Sequence, residues 1–511
     1  MSAVLETTVP PVAVPERRPT WADVIQLARF EARQQLWFLP VFATLVLYVG
    51  YTVWRLLFPP DGMAAYPALQ DVDRATQTGP LLLGIALFVC VNRAALRDRR
   101  RGTDRQVDAA PMEPWRRTLA HVLSVVPYAV LTALVVLGSF TWQALKPGAV
   151  GHGSPAELAV GPLCVLLFGA LGVLAARLIP SSFAAPLLVV GLFAGALFLS
   201  AGTGDAPWSR WLSPVVTENS GDTLPSDLIG RPAAWHALYL TGLVLLAALG
   251  AVLAGGGQTR VLKAGLAGAL ALTLAGAVAQ SGGDTPQLRA ARERASVSPE
   301  KEQTCVRREG STYCAFPEWT PRTATWAKVV DEVRSLAGGA AHTQPLLVRQ
   351  RVEARYGLDS SSAFEPFADP HRVSVGAAWG GNRVPEFSAA VASVLVAGAE
   401  KKAGDMCDGR MVTVMWLALA WQDDPMQSLR NVRLDDSLSG SAIVLSPTNP
   451  LRMTAAQTDV VRELLGKPKG AVEAAVKAHW TELTAPKLTT ADAARLLGAA
   501  VPKGGEDKCE S

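Results

Sequence analysis

Charge inside its apolar runs is what this 511-residue sequence has least of. Arg93, Arg177 and His236 sit at the ends of such runs, and His121 lies near the start of one. Proton-coupled transporters and voltage sensors carry ionisable residues at mid-membrane depth, so both classes are disfavoured. No Walker A pattern occurs, and the chain therefore has no P-loop of its own for ATP. HExxH and GxSxG are also missing, while His342, His371 and His479 are far apart and read as surface or satisfied core residues. Metal-assisted or nucleophilic hydrolysis has no local signature here, and the expectation is a protein that is not an enzyme. A formal charge of only +4 leaves no broad basic surplus for nucleic acid. The six cysteines match no zinc finger, ribbon or knuckle spacing, so no metal site is expected.

Long apolar runs, by contrast, are abundant before residue 281. A bilayer core about 30 Å thick needs roughly 20 apolar helical residues, because hydrocarbon offers no partner to a free backbone amide. Seven stretches qualify, at 36–58, 80–96, 118–145, 158–177, 182–201, 234–255 and 262–280. Met411 to Trp421 is apolar but short, and reads as a buried core helix. The fold class is therefore an α-helical polytopic membrane protein of about seven transmembrane helices, followed by a mainly α, minor β domain at 282–511. The opening of that domain, 287–303, is polar and reads as a helical or flexible stalk. Helices are expected at 321–336, 384–402, 410–422, 454–465, 470–482 and 489–498, and short strands at 348–356 and 372–375. Trp319, Trp326, Trp379, Trp416 and Trp480 are expected in or around its core.

Orientation follows from Lys and Arg near the span ends, which stay in the cytoplasm. The loop after the second stretch holds Arg93, Arg97, Arg99, Arg100, Arg101, Arg105, Arg116 and Arg117 and is assigned inside. Alternation then puts the N-terminus inside, together with Arg177, Arg260 and Lys263, and puts loop 59–79 outside. Seven spans deliver everything after about residue 281 to the extracytoplasmic side of a multi-pass protein of the cell (plasma) membrane. In that oxidising setting Cys305, Cys314, Cys407 and Cys509 suggest two disulfides. Of the three possible connectivities, the expected one joins Cys305 to Cys314 and Cys407 to Cys509; four free thiols in a cytoplasmic domain are the alternative.

Residues 1–19, with prolines at 10, 11, 15 and 19, read as a disordered cytoplasmic tail rather than a signal peptide. The stretch 20–35 opens with Thr20 and Asp23 in capping-box spacing. Trp21, Val24, Ile25 and Ala28 then recur at helical intervals, giving an amphipathic helix suited to the headgroup layer or, more plainly, to the cytosol. Loop 97–117 has a pattern of its own. Asp98 stands four positions before the pair Gly102 and Thr103, Pro111 follows nine after the glycine, and Trp115 and Arg116 lead into the next span. A short segment that seats in a separate motor needs a tight reversal and a stop, and Gly102 and Pro111 suit those tasks.

This spacing resembles the cytoplasmic coupling loop of permeases in the ATP-binding-cassette type-2 exporter family. The resemblance covers roughly residues 20–256, and its sharp motif covers about 98–116. Where that family has leucines two, four and five positions past the glycine, this chain has Asp104, Gln106 and Val107. The run Cys314, Ala315, Phe316, Pro317 is similar to outer extensions on some actinobacterial permeases. Membership would imply an elbow helix at 20–35, a six-span permease core with one extra span, and a separate ATP-binding-cassette ATPase subunit. It would also imply a second copy of this chain or a related permease, with ATP held by the partner and no cofactor in this chain. The other reading is a membrane-anchored sensor or scaffold whose extracytoplasmic domain binds a ligand without transport.

Overall fold

The computed structural model describes residues 20–502 apart from 59–61, 104–111, 182, 202–208, 217, 219–222, 358–363 and 449. Six of its helices are long and apolar enough to cross a membrane. In chain order, α1 (Trp21–Leu36) leads into α2 (Leu39–Leu57), short α3 (Leu69–Ala75) into α4 (Thr78–Ala95), and α5 (Arg97–Arg101) follows. Then come α6 (Pro114–Leu123), α7 (Val126–Ala144), α8 (Pro155–Leu178) and α9 (Ala184–Ala201). The four-residue α10 (Ser226–Ile229), then α11 (Ala233–Ala254) and α12 (Arg260–Gln280), complete this part. All seven apolar stretches are thus helical, and the multi-pass helical plan stands. α9 is the one outside the six, an 18-residue helix at the fifth stretch.

The third stretch is two helices rather than one. Pro127 has no backbone N–H to continue the ladder, and Ser124 turns its hydroxyl back to the His121 carbonyl at 2.7 Å, so the chain steps at 124–125 between α6 and α7. α8 sits at the centre, packed against α4, α7 and α11. Glycines permit the closest of these approaches: a Cβ at Gly172 would stand 2.5 Å from the Phe88 carbonyl oxygen, and one at Gly276 would stand 2.6 Å from the Tyr239 nitrogen. α2 and α12 instead leave most of their apolar surface open, with Leu39, Leu47, Val261 and Val278 all more than 60% exposed. A contiguous apolar girdle of this extent needs lipid or another chain to cover it.

The remaining chain begins with α13 (Pro286–Val297), so the expected stalk is helical. It is also packed, since Arg292 is buried. A four-stranded sheet follows in the order β1 (Thr304–Arg308), β2 (Ser311–Ala315), β3 (Leu347–Gln350), β4 (Arg372–Val375). β1 and β2 form an antiparallel hairpin, in which Cys305 lies opposite Cys314 and is disulfide-bonded to it. β2, β3 and β4 are parallel, which requires crossovers, and α14 (Thr323–Leu336) supplies the first. Helices α15 (Arg383–Ala397), α16 (Glu400–Gly404), α17 (Arg410–Leu419) and α18 (Pro425–Val432) come next. A two-stranded β5–β6 ribbon (Ala442–Val444, Leu451–Met453) and α19 (Ala455–Leu465), α20 (Lys469–Ala478), α21 (Trp480–Leu483) and α22 (Thr490–Leu496) close the fold. The mainly α, minor β expectation holds for this region, with one helix, α18, and two strand pairs beyond those expected.

Its core is aromatic. Trp319, Trp326, Trp379 and Trp416 are buried, with Trp326 and Phe387 both edge-on to Trp379 at 6.2 and 5.4 Å; Trp480 lies at the rim. Met411 through Leu419 are all buried, as a core helix requires. The same apolar core continues into the segments that join the membrane helices, through Val150, Trp211, Val216, Leu224, Leu228 and Ile229. The two parts of the chain therefore share one core rather than meeting at a polar seam.

Candidate functional site

Loop 97–117 begins as the sequence suggests. α5 is one turn longer than a cap, and Gly102 ends it in the left-handed conformation at φ 67°. The Gly102 amide donates to the Arg99 carbonyl at 3.2 Å and the Thr103 amide to the Asp98 carbonyl at 3.0 Å, which closes the reversal. The Thr103 hydroxyl adds a bond to the same Asp98 carbonyl at 3.3 Å. Asp98 thus serves the turn through its backbone. Pro111 lies outside the described residues. Trp115 and Arg116 stand in the first turn of α6.

What the sequence did not reveal is that α1 grips both ends of this loop. At its start, Arg97 forks onto the Glu31 carboxylate at 2.6 and 2.7 Å and donates to Gln34 Oε1 at 2.5 Å. At its end, the Trp115 ring meets Trp21 edge-on at 6.2 Å, and the Arg116 guanidinium lies over both rings, at 5.2 and 6.0 Å. Further along, Gln35 Nε2 donates to Ser124 Oγ at 2.8 Å and the Tyr128 hydroxyl to the Ala32 carbonyl at 2.6 Å. Asp23 accepts from the Thr20 amide and hydroxyl, so the expected cap forms. Burial raises the Glu31 carboxyl above its ordinary range, against the pull of Arg97.

The opposite end of the bundle holds a second constellation, built from α3, α8 and the segment before α11. Arg74 pairs with Glu157 at 2.8 Å and approaches Glu218 at 3.2 Å. Arg231 grips Glu218 at 2.7 and 2.9 Å and stands 3.6 Å from Asp73, whose other oxygen accepts from the Ser154 amide at 2.8 Å. Gln77 donates to Glu157. Asp73 and Glu157 are each 1% exposed, and Arg74 lies over the Trp211 ring at 5.5 Å. These residues are scattered over 159 positions, so no local motif exposes them. The one legible signal is that Arg74, Glu157 and Arg231 each fall just before an apolar stretch at the same end of the bundle.

Above this network sits the C-terminal domain, docked by two guanidiniums. Arg322 donates to the carbonyls of Tyr66, Pro67 and Gly148, at 2.7, 3.3 and 3.4 Å, and to Ala377 of its own domain at 3.1 Å. Arg292 donates to the Leu228 and Ile229 carbonyls, both at 2.7 Å. Glu318 accepts from the Ser226 amide at 3.0 Å. Loops between the first and second, third and fourth, and fifth and sixth apolar stretches are thus all held by one domain. Those three loops and the domain therefore lie at one end of the helix bundle. Burial among carbonyls, with no carboxylate at hand, lowers the Arg322 pKa to about 10.

The expected disulfide Cys305–Cys314 is present. Cys407 is also disulfide-bonded, and Cys509, its expected partner, lies outside the described residues. Cys90 and Cys164 are free and buried. Among the described residues, no group of three or more His, Cys, Asp or Glu side chains could hold a metal ion. The C-terminal domain has a cleft of about 690 Å³ between the β1–β2 turn and α14, lined by Arg307, Glu309, Lys328, Asp331 and Glu332 among others. No protein-family model matches the chain, and no curated protein or solved structure matches it either.

Proposed function

We propose that the chain is the transmembrane subunit of an ATP-driven exporter, with the C-terminal domain on the extracytoplasmic side and loop 97–117 in the cytoplasm against a separate ATPase subunit. The observation that carries this reading is the grip of α1 on both ends of the loop. A push on the segment between Gly102 and Trp115 would reach Glu31 through Arg97 and Trp21 through Trp115, and so would move a helix that leads directly into α2. Export by such a machine also needs a path between two membrane domains, and the open apolar faces of α2 and α12 leave room for a second copy or a related permease. The Asp98, Gly102, Thr103 turn supports the same assignment of the loop, since it reverses the chain where a coupling segment needs a tight turn.

A second reading, a sensor or scaffold, draws on the docking of the C-terminal domain on three loops, which gives a ligand bound there a rigid route to the helices. The neighbouring reading frame separates the two: an ATPase with Walker motifs favours export, and a kinase favours sensing. The direct test is Gly102→Val beside Pro111→Ala. A β-branched residue resists the left-handed conformation of Gly102, and loss of Pro111 removes the stop, while neither alters the arginine bias that orients the spans. Both variants are expected to insert normally yet to lose copurification with the ATPase or to uncouple its turnover from export. Parental binding and export in both would end the exporter reading.

A further inference from the structure

We propose that the open edge of β1 and the cleft beside it form a docking groove for an extended, acidic peptide segment of another protein, which joins the C-terminal sheet as an added strand. β1 is the outer strand of that sheet, with β2 on one side only. The hairpin register decides which of its backbone groups are used. The Thr312 amide donates away from β1, to the Leu346 carbonyl at 2.9 Å, so its cross-strand partner Arg307 also turns its amide and carbonyl away from β2. The alternation gives Cys305 the same direction. Neither residue has a backbone partner on that side among the described residues. Glu309 and Gly310 are both left-handed, as a two-residue turn requires, and Cys305 is bonded to Cys314, so the edge is held in strand geometry before anything binds.

The second wall of the groove is α14. A cleft of about 690 Å³ separates its Lys328, Asp331 and Glu332 from Arg307, Arg308 and Glu309. α14 lines it from Ala324 to Ser335, about 16 Å of helix, which matches about five residues of extended chain. An edge strand facing a helix across a gap of this kind gives a peptide main-chain bonds from the strand and side-chain contacts from the helix. Charge decides which peptide. Exposed arginines on an edge keep strands of like charge away. Arg334 already holds Asp331. Arg307, Arg308 and Lys328 make no ion pair among the described residues and outnumber Glu309 and Glu332, so the groove selects carboxylates. The inference does not rest on the exporter reading, because it concerns the C-terminal domain alone.

The test pans a phage-displayed library of short random peptides against the full chain in nanodiscs and measures the recovered peptides by fluorescence anisotropy. Recovered sequences should carry Asp or Glu among β-branched residues, and their binding should slow amide exchange at Cys305 and Arg307. N-methylation of a peptide amide that faces β1 leaves the protein untouched and should lower affinity roughly tenfold. Arg307→Pro removes an outward amide that the sheet does not use, a place where an edge strand accepts proline, and should also weaken binding roughly tenfold. Arg307→Ala loses the charge but keeps the amide, and should weaken it roughly threefold. No peptide enriched over empty nanodiscs overturns the proposal. Equal binding to Arg307→Pro and the parent, with N-methylation also without effect, overturns it as well, because side chains would then be captured without strand pairing. Recovery of basic peptides alone overturns the acidic assignment. A parent chain that dimerises, with the dimer lost in Arg307→Pro, assigns the edge to a second copy and overturns the choice of partner.

Discussion

The two ends of the helix bundle solve the same problem in opposite ways. At the end beneath the C-terminal domain, carboxylates and guanidiniums are buried together: Glu157 and Glu218 meet Arg74, Glu218 and Asp73 meet Arg231, and the domain roofs them over. At the other end the ion pairs among the described residues lie nearer the surface, Arg97 with Glu31 and Arg116 with the exposed Glu113. The difference teaches which end is held more firmly. A network buried and closed on itself is rigid, whereas ion pairs that reach the surface are screened by water and hold their end more loosely.

The largest effect should come from opening the closed end. Replacing Arg231 by Met leaves Glu218 and Asp73 without their main cation, and breaking a buried pair on one side costs about 3–5 kcal/mol. Thermal unfolding of the purified protein should show a large drop for Arg231→Met. The double variant with Glu218→Met should recover part of it, because Glu218 is then no longer stranded while buried Asp73 still lacks its cation. A single variant as stable as the parent would mean that this end is not the self-contained lock its geometry describes.

Next in size is Arg322. Arg322→Leu removes the donor to carbonyls from two different membrane loops and from Ala377, and a buried acceptor left unmet costs about 1–3 kcal/mol. The expected loss is about 3 kcal/mol, since some carbonyls will find water. Amide exchange should rise around 62–68 and 146–150 while the Trp326–Trp379 core of the domain keeps its protection. Unchanged exchange in both loops would show that the shared apolar core alone holds the domain in place, and the contrast between the two ends would weaken accordingly.

Length and hydropathy made the membrane helices legible, because hydrocarbon tolerates almost no other backbone. Gly102 was legible for a similarly local reason: a glycine after a run of arginines has one evident use, the left-handed stop that the structure shows. The Cys305–Cys314 loop was short enough to pair by proximity in the chain, and the hairpin turn at Glu309 and Gly310 brings the two cysteines opposite each other. The ion network was not legible. Asp73 and Arg74 fall in loop 59–79, whose sequence speaks only to its side of the membrane, and Glu157 stands at the lip of an apolar run. Their role depends on a packing of α3 against α8 that no periodicity encodes. Arg292 and Arg322 were hidden the same way, each lying in a segment that reads as polar and solvent-facing until the membrane loops are placed above it. The step between α6 and α7 was missed although Pro127 announced it, because an unbroken apolar run outweighed a single proline.

The smallest effect belongs to the open end, and it carries its own pH signature. Glu31 is 4% exposed, and burial raises its pKa even though Arg97 and its hydrogen bonds lower it. A carboxyl whose pKa is higher in the fold than in the unfolded chain binds its proton more tightly when folded. Its favourable contribution is then full below the ordinary glutamate value of 4.5 and is lost as pH rises through the raised value. The grip of α1 on loop 97–117 should therefore loosen modestly as pH climbs from about 4.5 towards neutrality, by about 1 kcal/mol or less. Glu31→Gln cannot ionise and should flatten that part of the profile while leaving the Trp21–Trp115 contact in place. Protease cleavage between α1 and α2 near Trp37, followed across this window, reads the loosening directly. If Glu31→Gln and the parent respond to pH alike, Glu31 keeps its charge throughout, and the pair with Arg97 is as closed as those beneath the domain.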